Sequence, residues 1–335
     1  FLNGRIDLVE AESVMDLIEA QNESALVDAG CQLVRMTVPD SEAVAVFAKV
    51  REQVDVPLCA DIHFDYKMAI EAAAAGADKI RINPGNIGGA DRVKAVVEAC
   101  RAKGIPIRIG VNSGSLEKEV LAKFGKATPE AMVESAARHI ALLEALDFAD
   151  ICLSLKSSDP QRTIAANLLA AERFPYPLHL GVTEAGRGQS ASLKSAVGIG
   201  GLLAMGIGDT IRVSMTGDPV PEVAAGFAIL QAAGRQTRGI NIVSCPTCGR
   251  CGVDLEKIAL LVEEKLAGVE TDRVVTVAVM GCAVNGPGEA KSADVGIAAG
   301  KGEVLLFKEG KIIRRVPEAQ AADALYSEVL SYLGD

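Results

Sequence analysis

Short aliphatic runs recur along the first two thirds of the chain, each followed by a helical stretch, and few folds satisfy that pattern. The runs are Leu33–Val38, Pro57–Ile62, Lys79–Ile82, Ile107–Val111, Ile151–Leu155, Leu178–Val182 and Thr210–Met215. Runs this short and this continuously apolar are the mark of parallel strands buried on both faces. The stretches between them carry helix punctuation. Ala69–Ala75 stops at Gly76, Asp91–Lys103 stops at Gly104, and Thr128-Pro129-Glu130 supplies a cap, a first-position proline and a first-turn acid to a helix running to Leu146. With 49% hydrophobic residues but only 4% aromatic ones and no Trp, the core must be built from Ala, Val, Ile and Leu. The repeats predict a TIM-type (β/α) barrel whose first strand is not visible.

What precedes and follows the repeats is less regular. Phe1–Gly30 reads as an amphipathic helix, with Leu8, Val14, Leu17, Ile18 and Leu26 near helical spacing and Gly30 as its stop. Pro219, Val220 and Pro221 open the last barrel helix, which runs to Gly234, and a boundary near Arg238-Gly239 divides the chain into residues 1–238 and 239–335. The second part is expected to be a smaller α+β domain. Ile240–Val243, Val274–Met280, Val295–Ala299, Val304–Phe307 and Ile312–Val316 are its strands, Leu255–Leu266 and Glu318–Leu333 its helices, and Lys308-Glu309-Gly310-Lys311 a hairpin turn.

That second part concentrates thiols. Cys245-Pro246-Thr247-Cys248 follows one apolar run and Cys282 follows another, so the three would lie at the ends of adjacent strands. Cys251 is close enough to join them, while Glu289, behind the turn-forming Asn285-Gly286-Pro287-Gly288, could bring a carboxylate back toward Cys282. Iron–sulfur clusters and closed zinc sites both use such donors, and a disulfide or unliganded thiols are further readings. A replaceable oxygen ligand among thiolates favours a catalytic cluster. The other cysteines, Cys31, Cys59, Cys100 and Cys152, sit singly in apolar stretches and read as small core residues of a reducing, cytoplasmic setting.

In a barrel the chemistry lies where strands end. Reading those ends gives Arg35, Asp61 with His63, Arg81, Arg108 with Asn112, Lys156, His179 with Glu184, and Arg212 with Ser214. Five cations inside aliphatic strands are costly unless an anion meets them. A diphosphate is the natural ligand, since guanidinium groups grip phosphate oxygens bidentately and the Gly/Asn-rich segments after Arg81 and Gly110 can present backbone N–H groups. The net charge of −10 argues against nucleic acid, and neither an apolar run of membrane-spanning length nor a signal-peptide pattern occurs.

Six segments together resemble one family. Asp61-Ile62-His63-Phe64-Asp65, Arg81-Ile82-Asn83-Pro84-Gly85-Asn86, Ile109–Lys118, Gly181-Val182-Thr183-Glu184-Ala185-Gly186, Cys245-Pro246-Thr247-Cys248 and Asn285-Gly286-Pro287-Gly288-Glu289 are similar, in collinear order, to the 4-hydroxy-3-methylbut-2-enyl diphosphate synthases of the non-mevalonate isoprenoid pathway. The resemblance implies a [4Fe-4S] cluster held by Cys245, Cys248, Cys282 and Glu289, with Cys251 left as a free thiol. It implies substrate contacts from Arg35, Asp61, His63, Arg81, Arg108, Asn112, Lys156, Thr183, Arg212, Ser214 and Asn285, with Glu184 and Glu289 catalytic. It also implies reductive dehydroxylation of a cyclic diphosphate with electrons from flavodoxin or ferredoxin. Phe1–Gln21 shows no counterpart of the Ser-Met-Thr-like first strand of that family.

Two other readings fit parts of the sequence: a phosphate-ligand-binding barrel with a structural zinc domain, and an aldolase using Lys156 as a Schiff base. The last barrel helix returns the chain to the barrel end opposite the mouth before the thiol domain begins. A head-to-tail homodimer with active sites formed in trans is therefore expected.

Overall fold

A computed structural model describes residues 10–15, 25–282, 288, 291–300 and 302–334. The chain divides into two compact units, Phe1–Arg235 and Gln236–Asp335. The fold class read from the sequence, a TIM-type barrel followed by a smaller α+β domain, is the one found.

In the first unit eight parallel strands are hydrogen-bonded in a ring. They are β1 (Glu10–Met15), β2 (Leu33–Thr37), β3 (Leu58–Asp61), β4 (Lys79–Ile82), β5 (Ile107–Asn112), β6 (Ile151–Lys156), β7 (His179–Leu180) and β8 (Thr210–Ile211). The ladder runs β6-β5-β4-β3-β2-β1-β8-β7, and a parallel bridge between Leu153 and Leu178 joins β6 to β7 and closes it. The strand period of two sorts the side chains. Val34, Met36, Leu58, Ala60, Ile80, Ile82, Ile107, Ile109, Leu153 and Leu155 join one apolar cluster with helix residues such as Phe47, Ala69, Ala72, Val93 and Val96. Their neighbours in sequence, Arg35, Cys59, Asp61, Arg81, Arg108, Ser154 and Lys156, have the opposite parity. They fill the barrel with polar groups where branched aliphatics are usual.

Two expectations need correction. Glu10–Met15, read as part of a helix, is strand β1, pairing with β2 (Glu12 opposite Leu33 through Met15 opposite Met36) and with β8 (Glu10 opposite Thr210). Its Glu-Ala-Glu-Ser-Val-Met sequence has helical leanings, but the slot between β2 and β8 needs a strand to satisfy both edges, and that tertiary demand overrides propensity. The rest of the expected Phe1–Gly30 helix falls partly on residues outside those described. The runs Leu178–Val182 and Thr210–Met215 contribute ladders of only two residues each. Beyond Leu180 the chain is pressed against β8: a Cβ on Gly181 would stand 2.9 Å from the Arg212 carbonyl oxygen.

The second unit is a five-stranded sheet in the order β13-β12-β11-β10-β9. Strands β9 (Gly239–Ser244), β10 (Val274–Met280) and β11 (Val295–Ala299) run parallel, while β12 (Glu303–Lys308) and β13 (Lys311–Pro317) are antiparallel additions. Glu309 and Gly310 both take positive φ (48° and 74°), which fits a two-residue turn whose twist matches the strands it joins. One sheet face, including Val275, Val277 and Val279, packs on the helices Leu255–Leu266 and Ala321–Gly334. On the other, Ala278, Met280, Ala298 and Phe307 form a small cluster against which Cys245 packs.

Candidate active-site residues

Several of the expected strand-end residues contact one another: Asp61 with Arg35 and Arg81, Lys156 with His179, and Arg212 with Ser214. Asp61 is the hub: one carboxylate oxygen lies 2.8 Å from Arg81 Nη1 and the other 3.6 Å from Arg35 Nη1. Burial opposes the ionisation of Asp61, but Arg35, Arg81, His63 and Arg108 outweigh it and hold the carboxyl well below the usual carboxylate range. Arg108, on the next strand, is wholly buried. Its guanidinium reaches toward Cys59 Sγ at 3.8 Å. Gly110 makes room for this layer, since a Cβ there would stand 2.6 Å from Nη2 of Arg81.

The other half of the mouth is arranged differently. Lys156 Nζ lies 2.9 Å from His179 Nε2, and His179 Nδ1 lies 2.8 Å from Thr210 Oγ1. Arg212 donates to Ser214 Oγ at 3.1 Å and has its Nε 3.6 Å from Glu222 Oε2. Glu222 also accepts from the Met215 N–H at 2.6 Å, and burial lifts its pKa despite Arg212. Asn112 is half-buried at the end of β5, in register with Lys156. Thr183 is half-buried and Glu184 exposed in the loop after β7, where Glu184 takes a positive φ of 53°. A non-glycine residue in that region is strained, and such strain concentrates at functional loops. His63 is exposed beyond β3.

Beneath the Gly/Asn-rich loops lies a carboxylate–imidazole pair. Glu117 Oε1 is 2.5 Å from His139 Nε2, and although burial raises the Glu117 pKa, His139 brings it down to about 2. A Cβ on Gly85 would stand 3.3 Å from His139 Cε1 and 3.5 Å from Glu117 Cγ, so the loop after β4 rests directly on this pair.

In the second unit Cys245 follows β9 and Cys282 follows β10, and these strands are adjacent and parallel. The Gly281 N–H donates to Cys245 Sγ at 3.2 Å. The Arg250 backbone N–H and then its side chain hold the exposed Cys248 thiol below its ordinary pKa, while the nearby Cys282 opposes them. Cys251 Sγ is engaged with the Val253 carbonyl at 3.2 Å and packs against Gly281. Asn285 and Glu289 lie outside the described residues. Among the described ones no three His, Cys, Asp or Glu are close enough to hold a single ion. A set of thiols on loops just past two strand ends, one of them favoured as thiolate, fits a sulfur-ligated iron or zinc centre.

Comparison with known families decides what these units are. Residues 10–227 match the GcpE TIM-barrel domain, and residues 241–331 match the GcpE protein C-terminal domain. The chain belongs to the GcpE family. A relative in Geobacter sulfurreducens, named 4-hydroxy-3-methylbut-2-en-1-yl diphosphate synthase (flavodoxin), is 54% identical over 98% of this chain and 91% of its own length. Relatives of the same name in Ruminiclostridium cellulolyticum and Caldanaerobacter subterraneus are each 54% identical over 91% of this chain, covering 86% and 85% of their own lengths.

Sequence reasoning did not select every residue that builds this GcpE barrel mouth. It noted His179 at a strand end without giving it a role, and it passed over Thr210 and Glu222. His179 stands out as a lone histidine in an apolar strand, which was the available signal. Glu222 gave none, because it lies in an ordinary helical turn and reaches Arg212 only once that helix folds back on β8.

Proposed function

We propose that this GcpE chain converts 2-C-methyl-D-erythritol 2,4-cyclodiphosphate to 4-hydroxy-3-methylbut-2-enyl diphosphate by reductive dehydroxylation and ring opening, in the MEP route to isoprenoid precursors. The reaction takes up two electrons and two protons and releases water; flavodoxin, the donor named for the relatives, or ferredoxin supplies the electrons. The observation that carries this reading is the convergence of Arg35, Arg81, Arg108, Lys156 and Arg212 on one barrel mouth, where Asp61 pairs with Arg35 and Arg81 and Glu222 with Arg212. So much buried positive charge is tolerable when a multiply charged anion binds there.

Each residue then has a task. Arg35, Arg81, Arg108, Lys156, Arg212, Ser214 and Asn112 hold the diphosphate, with Asp61 fixing two of the guanidiniums. His63 and Thr183 touch the substrate from their loops, and Glu184, on its strained turn, holds the proton that lets oxygen leave as water. Cys245, Cys248, Cys282 and Glu289 would hold a [4Fe-4S] cluster, with Asn285 beside it. Such a cluster supplies one-electron transfers and a Lewis-acidic iron.

Iron and sulfide analysis of anaerobically prepared protein tests the whole reading. Iron and acid-labile sulfide in equal amounts, with turnover of the cyclodiphosphate under a reduced donor, is the expected result. Colourless protein holding stoichiometric zinc would overturn it.

We propose further that the protein works as a head-to-tail homodimer with active sites in trans. In support, the helix Val220–Ala232 carries the chain away from the strand ends that form the mouth before the thiol-bearing unit starts. Mixing Arg108→Ala and Cys282→Ser subunits should then restore roughly a quarter of wild-type activity, because random exchange gives half the molecules one intact site. No recovery after verified exchange would show that each chain closes on itself.

A further inference from the structure

One cation of the mouth is held by an uncharged ring. Arg35 and Arg81 share the Asp61 carboxylate and Arg212 faces Glu222, so each of these is partly neutralised where it sits. Lys156 is in hydrogen-bond contact with a wholly buried imidazole, His179, at 2.9 Å, and that ring is in turn 2.8 Å from Thr210 Oγ1. Neighbouring strands β6, β7 and β8 carry the three groups, and the register that sets His179 opposite Thr210 fixes the ring between its partners. An ammonium has only donors, so Nε2 must accept and the ring proton must sit on Nδ1, donating to Thr210. Gly181 completes the cradle: a Cβ there would stand 3.0 Å from Lys156 Cε and 3.1 Å from Nζ.

We infer that His179 is a positioning residue, a neutral imidazole fixed as its Nδ1–H tautomer by Thr210, which aims the Lys156 ammonium into the mouth while adding no negative charge of its own. This rests on the reading of Lys156 as a contact of the substrate diphosphate. A carboxylate in the same place would orient the ammonium equally well but would compete with phosphate for it. The imidazole offers a lone pair and no charge. Burial, with Lys156, Arg108, Arg35 and Lys79 nearby, keeps the pKa of the ring well below its ordinary value, so the lone pair stays available.

Two substitutions that each keep half of the ring's bonding test this. In His179→Gln the amide oxygen can stand where Nε2 stands and still accept from Lys156. In His179→Asn the amide nitrogen can stand where Nδ1 stands and keep Thr210, but Lys156 loses its acceptor. Calorimetric binding of the cyclodiphosphate to the anaerobic holoenzyme should weaken about tenfold or more in His179→Asn, as in Lys156→Gln, and stay within about threefold of wild type in His179→Gln. The His179→Asn/Lys156→Gln double variant should lose nothing beyond the Lys156→Gln single variant. Wild-type binding by Lys156→Gln would overturn the assignment of Lys156 to the substrate. Loss in Lys156→Gln with equal binding by the two His179 variants, whether intact or reduced, would overturn the inference itself, because a mere packing role does not distinguish them. The wild-type protein gives a readout that needs no variant to fold: nitrogen–proton correlation of the imidazole at pH 7 should show Nδ1 protonated and Nε2 bare. An Nε2–H tautomer or an imidazolium would overturn the inference as well.

Discussion

The barrel mouth and the thiol cluster are built on opposite plans. In the mouth the charged candidates sit on strands or just past them and are pinned by neighbouring side chains: Asp61 by Arg35 and Arg81, Lys156 by His179, and Arg212 by Glu222 of the following helix. In the second unit Cys245, Cys248 and Cys282 lie on loops past the strand ends, and Cys248 is exposed. The first arrangement is organised before any ligand arrives, which lowers the cost of binding. The second needs the bound group to complete it, as metal sites commonly do, so that binding energy and local order arrive together. An anion-binding site can be prepaid in this way because ladder register places its charges; a cluster site cannot, because thiolates forced together without metal repel.

The largest effect that would sharpen this contrast is expected at the cluster. Removing an outer-shell partner of a metal costs about 10- to 100-fold, so Cys282→Ser or Glu289→Ala, each removing a ligand, should cost more than about a hundredfold in turnover. Cys282→Ser should also lose visible absorption while the barrel melts at an unchanged temperature. Full activity in either variant would break the ligand assignment.

Asp61→Asn attacks the preorganised half. It leaves two guanidiniums without their shared carboxylate in a buried place, and stability should fall by about 3 kcal/mol with substrate affinity falling too. The pH dependence has a definite sign. The folded pKa of Asp61 is depressed, so its stabilisation is present above the unfolded value and is lost as pH falls below about 4. Acid titration of unfolding should therefore be flatter in Asp61→Asn than in wild type. An identical acid slope would mean that Asp61 does not carry the charge balance of the mouth.

Gly110→Ala is a milder strike at the same half. The added methyl group displaces the Arg81 guanidinium and should cost about 1–3 kcal/mol of stability with a weaker hold on substrate. Wild-type affinity would show that Arg81 need not lie across β5. Cys251→Ser should have the smallest effect, within about 1 kcal/mol and with cluster and turnover retained, since Cys251 bonds a backbone carbonyl and is not among the expected ligands. Cluster loss there would return Cys251 to the ligand set.

Much of this was legible in the order of residues. Aliphatic runs at a barrel's spacing located seven strands, because burial on both faces of a parallel sheet leaves a local trace. Cations that break those runs at alternate positions marked the mouth, and Cys-x2-Cys with a distant third Cys marked the second site. Glu10–Met15 could not be read as a strand, because what makes it one is the pair of open edges on β2 and β8 and not its own side chains. Nor could the sequence say that Asp61 serves two arginines while Lys156 is held by an uncharged ring. Those pairings depend on which strands become neighbours and in what register, and both are settled only when the barrel closes.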